Sequence, residues 1–529
     1  MSSIATTPGL YFEVGARPPE KSPLRSDIAA FMGRAKRGPV SQPVRVEGWR
    51  SYLRQFGGLA KDALMPYAIR GYFENGGEIA YVARIAKSDD DTAAGSTTAS
   101  AVWDVRVFNK GASTWQADKG GFRASQYRIE ATSPGAWANR TRISLRYRRV
   151  GAAGKPEVDL VINAPDEPIE YLMGIETAQI KEAVAASSNL IRLIPIGDEM
   201  EQPRAVDPGG LHYIRWGDAV LDGGSEATAS QFEYLDAVGK LGDEPEVALV
   251  AMPDLYKDVT DQTEQQEILI EAIQKADELR DRLVLVDLPA GNQTATEVIR
   301  WVEQTLEPSD PKLLRAAAIY HPHLRVSDPL GAVVSPLRNV PPSGHVAGVI
   351  SWLDRNRGAH HTPANTELYE AVDVASNFEN PTQGVLIERG INLIRCTAGR
   401  GLQVWGGRTL NRDASGVYIA HRRLIHRLVR AIRRVADPLV FDTNGPELRL
   451  KLVRAITTVL LEAYRAGALK GARPEEAFRV RSDETTTPPE EQELGRLFCT
   501  IEVAPAIPME FITLRIVVGT DASLEVFES

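Results

Sequence analysis

The sequence contains few cysteines, no long apolar run and no secretory signal. Two of its 529 residues are cysteine, and Cys396 and Cys499 lie far apart in the chain. This number excludes a disulfide framework and favours folding in a reducing compartment. No stretch approaches the ~20 apolar residues of a membrane helix, and residues 1–8 lack both a basic region and an apolar run. We therefore expect no membrane insertion and, for any copy outside the cell, release by lysis or within an assembled particle.

The chain also lacks an excess of positive charge. It has 61 Lys and Arg against 70 Asp and Glu, which gives a formal net charge of −9. This balance argues against an electrostatic attraction of the whole protein to nucleic acid. The hydrophobic content of 43% is that of an ordinary globular protein. A chain of 529 residues is too long for a single core, so we expect several domains.

The usual signatures of catalysis are incomplete. A serine nucleophile requires a histidine base within hydrogen-bonding reach and a carboxylate that orients the histidine. No Gly-x-Ser-x-Gly elbow is present, and the best serine lies in a Pro-Pro-Ser-Gly turn. We therefore expect no catalytic residue and no enzyme, and keep a serine-type hydrolase as the alternative. The candidate residues for that alternative are Ser343, His345, His321, His323, Asp287 and Asp354.

The sequence signals for metal sites and phosphate sites are equally weak. His360-His361 and His321-x-His323 have neither a cysteine nor a helix-spaced third ligand nearby, so they are interpreted as loop histidines. The Gly-Ala-Ala-Gly-Lys run at 151–155 is too short for a phosphate-binding loop, which needs four residues between its glycines. We expect no metal and no cofactor.

The middle of the chain has the pattern of a parallel α/β layer. Four apolar runs alternate with amphipathic helical patterns at 265–282 and 294–306. Continuous apolar strands separated by helices indicate a parallel sheet that is covered on both faces. We interpret as strands of this sheet the runs 246–252, 283–287, 316–320 and 345–352.

The regions on either side of this layer have different patterns. Residues 26–86 have the pattern strand, helix, helix, strand, and residues 101–200 form a series of strand-like runs with many turns. Two short strands at 391–396 and 402–405 precede two long helices. The first helix carries apolar residues on one face and arginines on the other. That basic face is either solvated or a contact with an acidic neighbour, for which the candidates are Arg423, Arg427, Arg430 and Arg434.

Several distinctive sequence motifs occur along the chain. They are Gly33-Arg34-Ala35-x-Arg37-Gly38-Pro39, Arg54-x-Phe56-Gly57-Gly58, Tyr67-Ala68-x-x-Gly71-x-Phe73-Glu74-Asn75-Gly76-Gly77, Pro341-Pro342-Ser343-Gly344-His345-Val346-Ala347-Gly348, Gly390-Ile391-Asn392-Leu393-Ile394-Arg395, and the segments 399–410 and 505–512. In this order they resemble signatures of contractile tail sheath proteins, which form the outer sleeve of phage tails and related injection machines. Residues 133–140 also resemble the family, which usually has glycine where this chain has Ala138.

The resemblance implies a multidomain α/β and α+β fold. Its expected parts are a central subtilisin-like parallel α/β domain, an inserted β-rich domain, an α+β core domain built from N- and C-terminal parts, and extended terminal strands. The expected boundaries are an N-terminal arm at 1–23, core at 24–87, inserted domain at 88–205, α/β domain at 206–375, core at 376–517 and a C-terminal arm at 518–529.

Both termini contain strand-like segments for which the sequence offers no evident partner. The resemblance implies that such arms add strands to the sheets of neighbouring subunits. Rigid domains would then rotate about the arms while main-chain hydrogen bonds keep the lattice connected. The residues expected to make these contacts are Leu10, Tyr11, Phe12 and Val14 in the N-terminal arm and Ile512, Leu514, Ile516 and Val518 in the C-terminal strand.

The function implied by the resemblance is mechanical. The chain would polymerise helically around an inner tube and contract to drive the tube through a target envelope. Its expected partners are copies of itself, the tube, the baseplate, tail-terminator or cap proteins and sheath paralogues, with no direct contact to nucleic acid. We expect assembly in the cytoplasm, followed by incorporation into a virion tail or a released injection particle.

Overall fold

The structure of the protein is a computed structural model. None of the helices in the part described is long and apolar enough to cross a membrane. The residues whose structure is described are 25–87, 96–102, 104–110, 115–117, 127–149, 156–176, 179–195, 215–291, 294–306, 310–332, 335–413, 416–439, 445–483, 486–488, 497–506, 512–518 and 524–528.

The N-terminal part forms the strand, helix, helix, strand unit expected from its sequence, with one additional strand. Helix α1 ends at Gly57, whose φ of 80° suits glycine and whose N–H donates to Leu53 O. Helix α2 has Pro66 in its first turn, where a missing N–H costs nothing. The elements are β1 Ala29–Gly33, β2 Val44–Glu47, α1 Gly48–Phe56, α2 Met65–Glu74 and β3 Ile79–Arg84.

The next part is rich in β-strands, as expected. Its strands form a six-stranded sheet in the order β10-β9-β8-β12-β5-β6 and a three-stranded sheet in the order β11-β7-β4. Residues 215–220 pair with β5 and β8, so the β-rich unit extends beyond the expected boundary at 205. The elements are β4 Ser100–Val102, β5 Asp104–Lys110, β6 Trp115–Ala117, β7 Tyr127–Ala131, β8 Arg142–Arg149, β9 Pro156–Asn163, β10 Glu170–Glu176, α3 Ile180–Ser187, β11 Ile191–Pro195 and β12 Arg215–Val220.

Strands and helices then alternate through the middle of the chain. Helix α7 begins with a capping box, in which Thr294 and Glu297 each accept from the other's backbone N–H. The elements are α4 Gln231–Gly242, β13 Leu249–Ala251, α5 Leu255–Asp258, α6 Gln262–Leu279, β14 Leu283–Val286, α7 Ala295–Thr305, β15 Ala317–His321, β16 Leu324–Ala332, β17 Ser335–Val340, α8 Ser343–Asn356, β18 Thr366–Glu367, β19 Asp373–Val374, α9 Asn380–Glu388, β20 Ile391–Thr397 and β21 Gly401–Trp405. Strands β17, β16 and β19 form a small sheet of their own.

The C-terminal part consists of two long helices and a four-stranded antiparallel sheet in the order β22-β23-β24-β25. The apolar faces of the two helices and of the sheet form a separate hydrophobic core, which includes Ile432, Ile456 and Ile501. The elements are α10 Ile419–Ala436, α11 Pro446–Arg465, α12 Pro474–Ala477, β22 Phe478–Arg481, β23 Leu497–Val503, β24 Ile512–Val518 and β25 Leu524–Glu528.

A nine-stranded sheet unites the N-terminal and middle parts. Its order is β18-β21-β20-β15-β14-β13-β1-β3-β2, and the six strands from β20 to β3 are parallel. In this sheet, strands from the expected core segments 24–87 and 376–517 pair with strands from the expected 206–375 domain. Strand β1 pairs with β13, and β20 pairs with β15. The outer strands of the apolar middle part, β13 and β15, thus pair with strands that the resemblance assigned to other domains.

Each face of this sheet is covered by helices, as the apolar strands predicted. Side chains of β1 alternate, so that Ala30 and Met32 lie in the core under α4 and α6, whereas Ala29 and Phe31 lie in the core with α1, α2 and α8. Strand β14 divides its residues in the same manner. The sheet is therefore buried on both faces, as is typical of parallel sheets.

The expected strand at 345–352 is wrong, because these residues lie within helix α8. An apolar run of this length does not distinguish a buried strand from a buried helix. Gly344 and Gly348 are four residues apart and therefore lie on one face of the helix. That face packs directly on α2: a Cβ added to Gly344 would lie 2.7 Å from the Cα of Ala68.

Candidate functional sites

Two of the residues that suggested a hydrolase, Asp287 and Ser343, lie together at the carboxyl end of strand β14. Asp287 follows β14, and its carboxylate accepts from Ser343 Oγ at 2.6 Å and from Ser343 N at 3.2 Å. Burial raises the pKa of Asp287 to about 7, although the hydrogen bonds from Ser343 oppose the shift. The serine thus donates directly to a carboxylate at the first turn of α8. This arrangement fixes the strand to the helix, and no imidazole lies between the two groups to accept the hydroxyl proton.

The histidine nearest in sequence to Ser343 faces a different element. His345 is buried against α2, where a Cβ on Gly71 would lie 2.5 Å from its Nδ1. Burial lowers the pKa of His345 to about 4, so the ring is neutral at pH 7. The glycine of the Tyr67–Gly77 block and the histidine of the Pro341–Gly348 block are therefore two sides of one contact between helices.

The remaining hydrolase candidates are dispersed as well. His323 Nε2 lies 2.9 Å from Leu288 O, and His321 packs beside Phe378 with a ring separation of 5.4 Å. Burial and the neighbouring His323 lower the pKa of His321 to about 3. Asp354 pairs with Arg423 rather than with a histidine. Ser343 and Asp287 are brought together, whereas Asp354 and His345 serve other contacts.

Metal ligation has no support among the residues described. No group of three or more His, Cys, Asp or Glu side chains in the described ranges could hold a metal ion. His360 and His361 lie side by side with their ring centroids 4.3 Å apart. Burial, the adjacent His361 and Arg427 together lower the pKa of His360.

One buried carboxylate at the strand ends was not identified from the sequence. Asp254, just after β13, accepts from the backbone N–H groups of Arg34, Leu64 and Met65 at 2.9, 2.6 and 3.0 Å. Burial, followed by the nearby charge of Asp258, raises its pKa to about 6. The signal was available, because both Asp254 and Asp287 closely follow a buried apolar strand. Asp254 fastens the N-terminal part to the middle of the sheet.

Helix α10 does not present the exposed basic face that its sequence suggested. Arg423 is 3% exposed and Arg430 is 1% exposed. Both donate to groups of the same chain, so neither side chain is exposed for the contact with a tube or neighbour that the sequence suggested. Arg427 is exposed and Arg434 is half-buried, which leaves these two available for an intermolecular contact. Arginine periodicity alone did not distinguish solvated side chains from buried side chains that bind backbone carbonyls.

The C-terminal strand has partners within its own chain. Strand β24 pairs with β23 over Ile512–Val518 and with β25 on its other side, so it is an inner strand rather than an edge. The expectation that this strand lacks a partner in sequence is therefore wrong. Residues Leu524–Glu528 form the strand that pairs with it, although the sequence predicted only an arm there. Leu10, Tyr11, Phe12 and Val14 lie outside the described residues.

Comparisons with known proteins agree with the architecture. Residues 227–410 match the family model described as the phage tail sheath protein central domain. A tail sheath protein of Vibrio phage KVP40 is 30% identical over 190 residues, which are 35% of this chain and 27% of that protein. The chain thus matches only about a quarter of the length of this curated relative.

Solved sheath structures share the fold over nearly the entire chain. The helical sheath of the anti-feeding prophage in its contracted state has a TM-score of 0.55 at 20% identity, over 96% of this chain and 98% of that chain. The sheath tail protein of Listeria innocua has a TM-score of 0.62 at 11% identity, over 93% and 95%. The fold class is therefore the mixed, multidomain α/β fold of sheath proteins. Residues 227–410 are thus similar to the central domain of phage tail sheath proteins, and the resemblance of the chain to contractile tail sheath proteins is confirmed.

Proposed function

We propose that this chain is a structural subunit of a contractile tail sheath. The observation that carries the proposal is the match of residues 227–410 to the tail sheath central domain. The fold shared with contracted sheaths supports extending the proposal to the full chain. In this role the subunit polymerises helically around an inner tube and contracts to drive the tube through a target envelope.

The fold provides a rigid body suited to such a lattice. The nine-stranded sheet carries one hydrophobic core on each face, and Asp254 and Asp287 fasten loops and helices at its carboxyl end. Packed interiors transmit force because they deform little. Lattice changes would then occur at contacts between subunits, and an open helix follows when those contacts do not close into a ring. A gain of ~1–2 kcal/mol per subunit, summed over many copies, would supply the work of contraction.

The contacts between subunits form the next level of the proposal. The N-terminal arm, including residues 8–14, would add a strand to the sheet of a neighbouring copy. Because β24 is an inner strand, β22 and β25 are the edges of the C-terminal sheet that could receive or provide a strand. Arg427 and Arg434 would contact an acidic surface of the tube or of the next subunit. Structures similar to this chain include sheath and baseplate assemblies of the anti-feeding prophage, which supports a baseplate as a partner.

We also propose a subtilisin-like origin for the α/β domain, without subtilisin-like activity. Parallel strands covered on both faces, with Asp287 and Ser343 at their carboxyl ends, support that origin. A hydrolase requires a base that accepts the proton of Ser343, whereas this hydroxyl is held by Asp287 and His345 packs on Gly71. The reported relatives are sheath proteins, so the hydrolase alternative gains no support. Assembly in the cytoplasm and release within a particle complete the proposal.

The experiment compares the purified full chain with a variant lacking residues 1–14, using negative-stain electron microscopy and thermal unfolding. We expect hollow striated cylinders from the full chain and none from the shortened chain, with similar unfolding midpoints. Long cylinders from the shortened chain would contradict the arm model. Small uniform particles from the full chain, together with labelling by a fluorophosphonate probe, would favour the hydrolase.

A further inference from the structure

Two buried arginines of helix α10 reach the same short segment at the start of the described chain. Arg423 and Arg430 are seven residues apart, so they lie two turns apart on one face of the helix. Each donates to a main-chain carbonyl of residues 25–26, the first residues of the chain that the structure describes. Buried guanidinium groups are costly unless their donors are satisfied, which gives these contacts strong geometric requirements.

The first contact is made by Arg423. Its Nη2 donates to Ser26 O at 2.7 Å, and its Nε donates to Asp354 Oδ1 at 3.3 Å. Its Nη2 also pairs with the second oxygen of Asp354. Burial raises the pKa of Asp354, and the adjacent Arg423 opposes this shift. Asp354 lies near the end of α8, so Arg423 connects α8, α10 and the main chain at Ser26.

The second contact is made by Arg430. Its Nη1 donates to Arg25 O at 2.7 Å and to Glu246 O at 3.0 Å, and its Nε donates to Asp281 O at 3.0 Å. Its Nη2 donates to Val247 O. These carbonyls belong to residues just before β1, β13 and β14, three neighbouring strands of the central sheet. One guanidinium therefore binds the segment before β1 together with the starts of two adjacent strands.

The opposite face of α10 belongs to another part of the molecule. Leu424, Leu428 and Ile432 pack in the core that α10 forms with α11, β22 and β23. Hence α10 lies between the C-terminal sheet, with its strands β24 and β25, and the segment that leads to the N-terminal arm. A displacement of the C-terminal unit would be transmitted through Arg423 and Arg430 to residues 25–26.

We propose that Arg423 and Arg430 form a root clamp, which fixes the start of the N-terminal arm on α10 and couples the two terminal units mechanically. They are positioning residues for assembly, since their role is to present residues 1–24 to a neighbouring copy from a fixed point. The coupling to assembly rests on the proposed sheath function, whereas the clamp itself is a property of the isolated chain. The two can therefore be tested separately.

Trypsin provides a direct test of the clamp, because the carbonyl of its target bond Arg25–Ser26 is the group that Arg430 binds. A protease acts on this bond only after the segment opens locally. The two clamp variants are Arg430→Met and Arg423→Lys. Lysine is chosen at position 423 because it retains the positive charge beside Asp354. The matched control is Arg433→Met, because Arg433 binds Asp281 and Leu279 O but neither residue 25 nor residue 26. Cleavage after Lys21 is the internal reference.

We expect cleavage at Arg25–Ser26, relative to cleavage after Lys21, to become faster by about tenfold or more in both clamp variants. The control should cleave like the wild type. Thermal unfolding shows whether each variant still folds. The conservative variant Arg430→Lys separates loss of the clamp from loss of the fold, because lysine retains the positive charge but lacks the planar guanidinium with its several donors. Unchanged relative cleavage in folded Arg430→Met and Arg423→Lys, or equal acceleration in the control, overturns the clamp.

Electron microscopy of the same proteins tests the coupling. Wild type and Arg433→Met should form cylinders of similar length, whereas the clamp variants should form short or no cylinders. Clamp variants that cleave faster and still assemble normally would overturn the positioning role. If the wild type forms no cylinder, the proposed function fails, and the cleavage ratios alone decide whether the root clamp exists.

Discussion

Replacing Gly348 with alanine perturbs the contact that joins helices α2 and α8. A Cβ at Gly348 would lie 2.7 Å from the Cβ of Asn75, and still closer to the carbonyl oxygen of Tyr72. Both neighbours belong to the end of α2, so they cannot be moved by a simple side-chain rotation. The helices must separate locally, and the His345 ring beside Gly71 then loses its packing.

The expected magnitude follows from two opposing effects. Alanine in a helix interior gains up to about 1 kcal/mol over glycine. Overpacking against fixed atoms costs about 1–3 kcal/mol, and sometimes more. We expect the second effect to prevail for Gly348→Ala, because backbone as well as side-chain atoms obstruct the new methyl group. The matched control is Gly239→Ala in α4, where no atom lies within 4 Å of the added Cβ; this change should stabilise by about 0.5–1 kcal/mol.

Denaturant unfolding at low protein concentration measures both variants. Tryptophan fluorescence is a suitable probe, because Trp352 lies in α8 and packs closely on Gly76, just after α2. A Cβ added to Gly76 would lie 2.9 Å from the Cβ of Trp352. Gly348→Ala should unfold at a lower denaturant concentration than the wild type, and Gly239→Ala at a higher one. Equal or greater stability of Gly348→Ala would refute the close packing of α8 on α2.

Three further predictions concern single side chains. Asp254→Ala leaves three backbone donors without their carboxylate and should lower the free energy of unfolding by about 3 kcal/mol or more, whereas Asp236→Ala on the surface of α4 should change it by less than ~0.5 kcal/mol. Burial raises the pKa of Asp287 from 3.8 to about 7, so stability should fall as the pH rises from about 4 to about 7, by at most ~1.4 kcal/mol per pH unit. A thiol reagent should label Cys396 rapidly and Cys499 only after unfolding, because Cys499 is buried and its pKa is raised to about 12.

Each of these predictions has a contradicting result. Equal effects of Asp254→Ala and Asp236→Ala in chemical denaturation would remove the structural role of Asp254. A stability profile between pH 4 and 8 that Asp287→Asn leaves unchanged would exclude a raised pKa at that position. Two equivalents of rapidly labelled thiol per native chain would contradict the burial of Cys499.

Local patterns predicted the elements whose sequence signals are complete. The hairpin of β20 and β21 was expected from two short apolar strands, and its connection has Gly399 and Gly401 with positive φ, as glycine permits. The helices α6, α7, α10 and α11 followed from amphipathic periodicity. Such features depend on neighbours in sequence, so a single sequence is sufficient to locate them.

Long-range pairing was less accessible. The sequence of β1 does not indicate that this strand pairs with β13, which lies more than two hundred residues away. The apolar run in α8 was mistaken for a strand because its glycines serve a helix contact rather than a turn. The arginines of α10 were assigned to the surface because burial of Arg430 requires carbonyls from three strand starts that only the fold brings together.

We propose that copies of this chain join into a contractile sheath through an N-terminal strand that each copy adds to the sheet of a neighbour. Helical reconstruction of the assembled protein by cryo-electron microscopy tests it most directly. We expect a hollow cylinder in which residues 8–14 of one copy run beside a strand of another copy, while the nine-stranded sheet is unchanged within each subunit. A map in which residues 8–14 pair only within their own chain would contradict this proposal, as would a preparation that never forms a cylinder.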